Sequence, residues 1–474
     1  MSKEPVKQEI SLDVKTLLKS QRELFETGIT KTYAFRYNAI RSLYQALKAR
    51  ESDLIKAFYD DIKKPLFEAY VSEIDFVYAE MRYAMGHLKS WMKPRRVLPS
   101  LAQFPAMNCS FVSEPYGTVL IIGTWNYPFH LTMAPLVGAI AAGNTAILKP
   151  SGMAPATAQF LEEVITREFS PSFVSVVNGR AKETEALLSE KLGLIFFTGS
   201  VSVGKIVAAA AAKNLTPTVL ELGGKSPCIV HRDVSHGVML KRAVKRAVWG
   251  KYLNAGQTCT APDYLVVHKD IKAQFLDEMQ RTIERFYGKD PESSKDFGRI
   301  INERHMDRLI KILNATPKDN VICGGTYNKE SLYIAPTILD HVSLDDPIMQ
   351  EEVFGPIFPV LTYQSIEDLI NIIKHHPDPL ALYLFTKERS FQREVLNRVS
   401  FGGGCVNDTI MHLVNQRLPF GGRGNSGIGS YHGKHTFDAF SHKKSMVKNS
   451  LMFDNFLKYP PYPSWKLKLI RKFL

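Results

Sequence analysis

The segment Tyr252-Leu-Asn-Ala-Gly-Gln-Thr-Cys-Thr-Ala-Pro-Asp263 places one thiol, Cys259, in a run of small and polar residues. A thiol offered this way can act as a nucleophile. Upstream, Glu221-Leu-Gly-Gly-Lys-Ser-Pro227 sets one carboxylate beside two glycines. A carboxylate can serve a thiol as base or activate water. A third group is Asn126, in Gly123-Thr-Trp-Asn-Tyr-Pro-Phe129, whose side-chain amide can donate to an oxyanion. Each has an inert reading. Free cysteines are mostly buried small hydrophobes, and asparagine is common in turns. The chemistry requires that the fold bring the three together.

The hydrophobic pattern predicts how it does so. Residues 11–92 read as helices, with Ile40, Leu43, Leu47, Leu54 and Phe58 recurring at spacings of three and four. Pro94 and Pro99 end that pattern. From about 117, short apolar runs alternate with helical segments. Val119–Ile122, Ala146–Leu148, Phe173–Val177, Leu194–Phe197 and Val219–Leu220 read as strands. Leu131–Ala142, Ala156–Glu168, Lys182–Ser189 and Val203–Lys213 read as helices between them. Such alternation implies a parallel sheet with helical crossovers. Ligands in such sheets sit beyond the carboxyl ends of the strands, which puts Asn126 and Lys149 on one rim. A second α/β region is expected from about 227 to 420, with Cys228–Val230 and Leu265–Val267 among its strands.

Two glycine patterns are decoys. Gly199-Ser-Val-Ser-Val-Gly204-Lys205-Ile206 nearly spells a nucleotide P-loop, but Ile206 stands where a magnesium-binding hydroxyl is required. A triphosphatase is therefore disfavoured, although the helix start after this strand could still meet a pyrophosphate. Gly422-Arg-Gly424-Asn-Ser-Gly427 spells GxGxxG without a preceding strand and reads as a loop. Gly223 and Gly224 suggest a backbone that passes close to another group.

Bulk properties narrow the class. The 474 residues are 45% hydrophobic and 23% charged, a globular composition long enough for two or three domains. The net charge of +13 comes from lysines and arginines scattered along the chain, with no nucleic-acid-binding signature. The five cysteines, Cys109, Cys228, Cys259, Cys323 and Cys405, are odd in number and widely spaced, so neither a disulfide framework nor a metal site is expected. Met1–Lys7 is charged and lacks the apolar core of a secretion signal. Residues 119–143 are apolar but hold Asn126, His130 and two prolines, which argues against a membrane span. A cytoplasmic protein is expected.

Seven segments, in order, resemble the motif set of the NAD(P)-dependent aldehyde dehydrogenases. They are Gly123-Thr-Trp-Asn-Tyr-Pro128, Leu148-Lys-Pro-Ser151, Phe197-Thr-Gly-Ser200, Glu221-Leu-Gly-Gly-Lys-Ser-Pro227, Gly256-Gln-Thr-Cys259, Glu351-Glu-Val-Phe-Gly-Pro356 and Pro419-Phe-Gly-Gly422. The resemblance covers residues 15 to 463. The Trp-Asn-Tyr-Pro-Phe form, the Ala-Pro-Asp-Tyr after Cys259 and Ser430-Tyr-His-Gly433 are most similar to the class 3 and fatty aldehyde dehydrogenase branch.

The resemblance implies a set of roles. Cys259 would attack the aldehyde, Asn126 and the Cys259 N–H would hold the oxyanion, and Glu221 would activate the water that releases a carboxylic acid. Lys149 and Glu352 would hold the cofactor's ribose hydroxyls. Phe354 would pack near the nicotinamide, and Trp125, Gly199, Ser200 and Gly204 would contact the rest of the cofactor. Tyr70, Tyr127 and His432 are expected at the substrate entrance. Aromatic and apolar rim residues favour a medium- or long-chain aliphatic or an aromatic aldehyde. Gly152 replaces a glutamate that, in many relatives, repels the 2′-phosphate of NADP, so either NAD or NADP is expected to bind.

The implied fold is α/β. A doubly wound, Rossmann-like cofactor domain (1–106 and 117–223) would be joined to an α/β catalytic domain (224–425). A small β oligomerisation element (107–116 and 426–450) and a C-terminal linker and basic tail (451–474) complete the chain. The first helix begins near residue 11, which matches the dimeric branch. In the tail, Trp465, Leu469, Ile470 and Phe473 share one helix face and Lys468, Arg471 and Lys472 another. Eleven residues cannot span a bilayer but could lie on an anionic membrane surface or dock on a partner subunit. Two other functions compete: a CoA-acylating enzyme, against which Glu221 argues, and a non-catalytic family member, against which the Cys259, Glu221 and Asn126 set argues.

Overall fold

The helices at the start of the chain bury the faces their spacing predicts. Ile40, Leu43, Leu47, Leu54 and Phe58 are all buried, on helices Tyr33–Ala49 and Glu51–Ile62. The computed structural model describes residues 13–100, 103 and 106–473. The charged N-terminus read above lies outside the described residues, as do Leu474 and the side chain of Phe473. After Glu51–Ile62 the chain makes a helical turn, Leu66–Ala69, which widens into a π-helical turn, Tyr70–Ile74, and continues as Asp75–Trp91.

Two parallel sheets follow. The first runs in the order Gly427–Ile428, Thr218–Leu222, Leu194–Gly199, Thr118–Ile122, Thr145–Lys149, Val174–Val176. All its pairings are parallel except that of Gly427–Ile428 with Leu220 and Glu221. The chain starts in the middle at Thr118–Ile122, builds outward to one side, then returns to build the other. Strand order therefore reverses between Thr118–Ile122 and Leu194–Gly199, the place where doubly wound sheets open a ligand crevice. The segments leaving those two strands begin with Gly123-Thr-Trp-Asn and with Ser200.

Helix His130–Ala142 packs behind this sheet, and all thirteen of its residues are buried. This accounts for the apolar run at 119–143: a helix buried on every side has no polar face. Among the described residues, no helix is long and apolar enough to cross a membrane.

The second sheet has seven strands, in the order Val321–Cys323, Thr337–Leu339, Ile357–Tyr363, Tyr264–His268, Pro227–Val230, Ala381–Phe385, Gly403–Val406. Its pairings are parallel apart from the edge strand Val321–Cys323. Pro227–Val230 is the first of its strands in sequence and is flanked on both sides by later ones, so it too is doubly wound. A third, antiparallel sheet joins Arg95–Val97, Ala106–Pro115 and Ser441–Asn449. Beyond Ser441 its last strand is exposed along its length.

Candidate active site

The three groups singled out by chemistry line one cleft of about 400 Å³ between the two sheets. Its walls include Trp125, Asn126, Gly199, Ser200, Glu221, Gly223, Cys259, Glu352, Phe354, Phe420 and Tyr431. Glu221 sits near the end of strand Thr218–Leu222, and Cys259 in the loop before strand Tyr264–His268. Two sheets thus deliver one residue each, and the switch point of the first delivers Asn126.

Glu221 is buried, and neither of its oxygens has a hydrogen-bond partner. Burial alone pushes its carboxyl well above the usual carboxylate range. An unpaired buried carboxyl is costly, and carboxyls perturbed in this way cluster at functional sites. Cys259 is partly exposed. Its thiol is pushed up by burial and by the nearby Glu352 and Glu221 carboxyls, while the amides of Cys259 and Thr260 act in the opposite sense. Asn126 Nδ2 donates one hydrogen to Gln257 O at 3.0 Å, which leaves its second N–H free.

The cofactor-side residues divide. Gly199 and Ser200 line the cleft, and Ser200 caps helix Val201–Lys213 by accepting from the Val203 N–H. Helix N-termini of this kind attract phosphate. Gly204 faces away, against the Leu222 side chain. Trp125 and Phe354 meet edge to face at 5.3 Å. Phe354 holds a φ of +44°, an uncommon backbone state for an aromatic residue. Glu352 packs so closely on Gly223 that a β-carbon there would collide with its carboxylate, which explains why glycine follows Leu222. Burial pushes Glu352 up to about 8, with Asp263 adding to the effect.

Lys149 does not reach this cleft. It is buried at the end of its strand, and its ammonium donates to Gly179 O at 2.7 Å and to Pro150 O at 3.1 Å. Beside it lies a separate open groove of about 1020 Å³, lined by Gly152, Asn178, Gly179 and Arg180 among others. A β-carbon on Gly152 would stand 2.9 Å from Gly179 O, so backbone packing also favours glycine there.

The three residues expected at the substrate entrance are not brought together. Tyr127 is buried, with its hydroxyl 2.6 Å from Thr258 Oγ1. Tyr70 lies on the partly exposed π turn. His432 does not line the cleft: its ring is 1% exposed and stacks on Phe420 at 5.1 Å, with neither nitrogen hydrogen-bonded. Its sequence neighbour Tyr431 takes the wall position instead. Leu131, Phe420 and Tyr431 add apolar lining to the cleft, as do Trp125 and Phe354.

The two cleft loops are held by a contact that no local sequence pattern marks. Lys225 and Asp263 form a buried pair at 2.6 Å. Lys225 further donates to Ile348 O and Glu351 O, both at 3.0 Å, and Asp263 accepts from the Val353 N–H at 2.9 Å. The pair therefore ties the Glu221 and Cys259 segments to the loop that carries Glu352. Both residues stood inside recognisable motifs, but nothing in the sequence showed that they face each other.

Residues 6–446 match the sequence profile of the aldehyde dehydrogenase family. The chain belongs to that family. It is 45% identical to the 4,4′-diaponeurosporen-aldehyde dehydrogenase of Staphylococcus aureus, covering 95% of this chain and 97% of that protein. It is 40% identical to the "Aldehyde dehydrogenase, dimeric NADP-preferring" of Mus musculus, covering 95% and 98%. Among solved structures, the substrate-bound Staphylococcus aureus AldH superposes with a TM-score of 0.94 at 43% identity, covering 97% of this chain and 99% of that one. A Mycobacterium tuberculosis aldehyde dehydrogenase complexed with NAD+ does so at 0.81 and 26%, covering 91% and 89%. This aldehyde dehydrogenase is accordingly an enzyme of aldehyde oxidation with the α/β fold of its family. Neither the CoA-acylating nor the non-catalytic alternative is favoured.

Proposed function

We propose that Cys259 is the nucleophile, Asn126 the oxyanion donor and Glu221 the water-activating base of an NAD(P)-dependent oxidation of aldehydes to carboxylic acids. The carrying observation is that these three groups line one cleft, with Glu221 buried and free of any partner. The Cys259 thiol gives its proton to solvent and its sulfur bonds to the aldehyde carbon, whose C=O π electrons move onto oxygen. The carbonyl oxygen becomes an oxyanion, which the free N–H of Asn126 and the Cys259 amide stabilise. When bound, the nicotinamide would accept hydride from the carbon held by Cys259, the oxidation that leaves a thioester on the sulfur. Glu221 then takes a proton from water, the resulting hydroxide attacks the thioester, the carbon–sulfur bond breaks to free the acid, and the proton on Glu221 returns to the Cys259 thiolate. Burial raises the proton affinity of Glu221, which makes it the stronger base once it is ionised.

The residues present fit the cofactor. Ser200 at a helix N-terminus suits a pyrophosphate, and Trp125, Glu352 and Phe354 share the same cleft. Lys149, with its ammonium already on backbone carbonyls, and the groove at Gly152 suit the adenosine end. NADP is accepted alongside NAD because no carboxylate stands at 152, and exposed Arg180 offers a cation there. Steady-state kinetics with both cofactors test this: Arg180→Ala should lower kcat/KM for NADP at least fivefold more than for NAD. A hundredfold preference of the wild type for NAD would contradict it.

Leu131, Phe420 and Tyr431 favour a medium- or long-chain aliphatic or an aromatic aldehyde. The domain division anticipated from the motifs accompanies this reading. The exposed strand Ser441–Asn449 is proposed to pair subunits as a homodimer, which analytical ultracentrifugation would check. The enzyme is proposed to be cytoplasmic, with its C-terminal helix resting on anionic membrane. Helix Ser464–Phe473 exposes Trp465 and Leu467 beside Lys468, Arg471 and Lys472, and Leu451, Met452, Phe453 and Phe456 are exposed just before it. Equal, negligible sedimentation of intact and 463-truncated protein with anionic vesicles would end that part of the proposal.

A further inference from the structure

We infer that Lys64, Glu68 and Glu73, on one short N-terminal stretch, are positioning residues that set the oxyanion donor Asn126 against the Cys259 loop. The inference rests on the reading of Asn126 given above.

The contacts converge from ten consecutive residues, the loop at Lys64 and the helical turns that follow it, on both halves of the site. Lys64 and Glu73 form an ion pair at 2.5 Å, and both side chains are wholly buried. The Lys64 ammonium also donates to the backbone carbonyl of Asn126 at 2.9 Å and lies 4.2 Å from the ring centroid of Tyr127. The second oxygen of Glu73 accepts the N–H groups of Phe129 at 3.1 Å and His130 at 3.0 Å. One ion pair thus grips the segment Asn126–His130 at both ends. Asn254 completes the join. Its side-chain amide donates to the Asn126 carbonyl at 2.9 Å and to Gln257 O at 3.2 Å, the same carbonyl that receives the Asn126 amide. Its backbone N–H donates to Glu68 at 2.9 Å. Asn254 and Ala255 both hold φ near +54°, an uncommon state for residues other than glycine. Such a turn persists when its surroundings fix it.

The π-helical turn Tyr70–Ile74 carries Glu73, and turns of this kind are frequent at functional sites. A buried ion pair adds little stability over well-packed apolar residues. The return on Lys64 and Glu73 is therefore geometric: the free Asn126 N–H must meet an oxygen bonded to the carbon that Cys259 attacks. Misplacement of such a group by about 1 Å can cost about a hundredfold in rate.

The test is the pre-steady-state rate of NAD(P)H formation with saturating aldehyde, read in a double-mutant cycle. Asn126→Ala is expected to slow the burst about a hundredfold or more. Glu73→Gln is expected to slow it at least tenfold, with KM for aldehyde and cofactor within about twofold of wild type. Combined with Asn126→Ala, Glu73→Gln should slow it less than twofold further, because the donor it positions is gone. A Glu73→Gln burst as fast as wild type, or an effect that multiplies with that of Asn126→Ala, overturns the inference while leaving the reading of Asn126 intact. An Asn126→Ala burst as fast as wild type overturns the oxyanion assignment and the inference with it. Should Glu73→Gln not fold, Glu68→Ala, at a partly exposed position, carries the same cycle with the same outcomes.

Discussion

Replacing Lys225 by methionine should expose how far the cleft depends on one buried ion pair. The ammonium is 2.6 Å from Asp263, and the two side chains are only 4% and 5% exposed. Methionine fills the space but leaves the Asp263 carboxylate without its hydrogen-bonded counter-charge, and the carbonyls of Ile348 and Glu351 without that donor. Removing one partner of a buried pair typically costs about 3–5 kcal/mol. At about 2.1 cal/mol/K per residue, 474 residues unfolding as one unit have an entropy of about 1 kcal/mol/K. Tm should therefore fall by about 3–5 °C, and by more if a smaller unit unfolds. The loop bearing Glu352 should loosen, which raises the cofactor KM more than it lowers kcat. Asp263→Asn added to Lys225→Met removes the stranded charge and retains an oxygen for the Val353 N–H, so the double variant should recover at least half of the lost stability. Thermal and urea melts of the two variants check this. A Lys225→Met loss under about 1 kcal/mol, or a double variant no more stable than the single one, would refute the reasoning.

The remaining predictions concern charge and chemistry. Asn126→Ala should lower kcat by about 10²–10³ through loss of one oxyanion donor. Its Tm should barely move, because Gln257 O still accepts from Asn254; steady-state kinetics and a melt measure both. The Cys259 thiol and the Glu221 carboxyl are both pushed up, so kcat/KM should rise with pH through neutrality, and a pH profile falling from pH 6 to 8 would contradict the assignment. Glu80 is buried, with Oε1 unpartnered, and burial pushes its carboxyl up to about 7 from an ordinary 4.5. Between those values the folded state binds more protons than the unfolded one, so this contribution to stability is full below pH 4.5 and is lost as pH rises through 7, by about 3 kcal/mol at most. Glu80→Gln keeps an acceptor for the Gly433 N–H and should flatten this pH 5 to 8 decline in urea midpoints.

The parts legible in sequence were those written locally. Strand–helix alternation from 117 to 222 follows from short-range hydrophobic period, and the five strands and four helices expected there are present. Cys259, Glu221 and Asn126 stood in distinctive segments, but strand-end geometry grouped Asn126 with Lys149, which stays outside the cleft that the other three share. What escaped was long-range pairing. Lys64 meets Asn126 and Glu68 meets Asn254 across many residues of chain, and no periodicity marks such contacts. His432 shows the reverse failure. The resemblance put it at the substrate entrance, but its ring is buried in a stack on Phe420 and Tyr431 lines the cleft.

The central claim is that Cys259 forms a thioester that Glu221 opens to water. Its most direct test is peptide mass spectrometry of Glu221→Gln quenched after reaction with a medium-chain aldehyde and NAD(P). One burst equivalent of NAD(P)H and an acyl group on the Cys259 peptide are expected, both missing in Cys259→Ala. Full turnover by Glu221→Gln with no acylated Cys259, or aldehyde oxidation by Cys259→Ala, would contradict it.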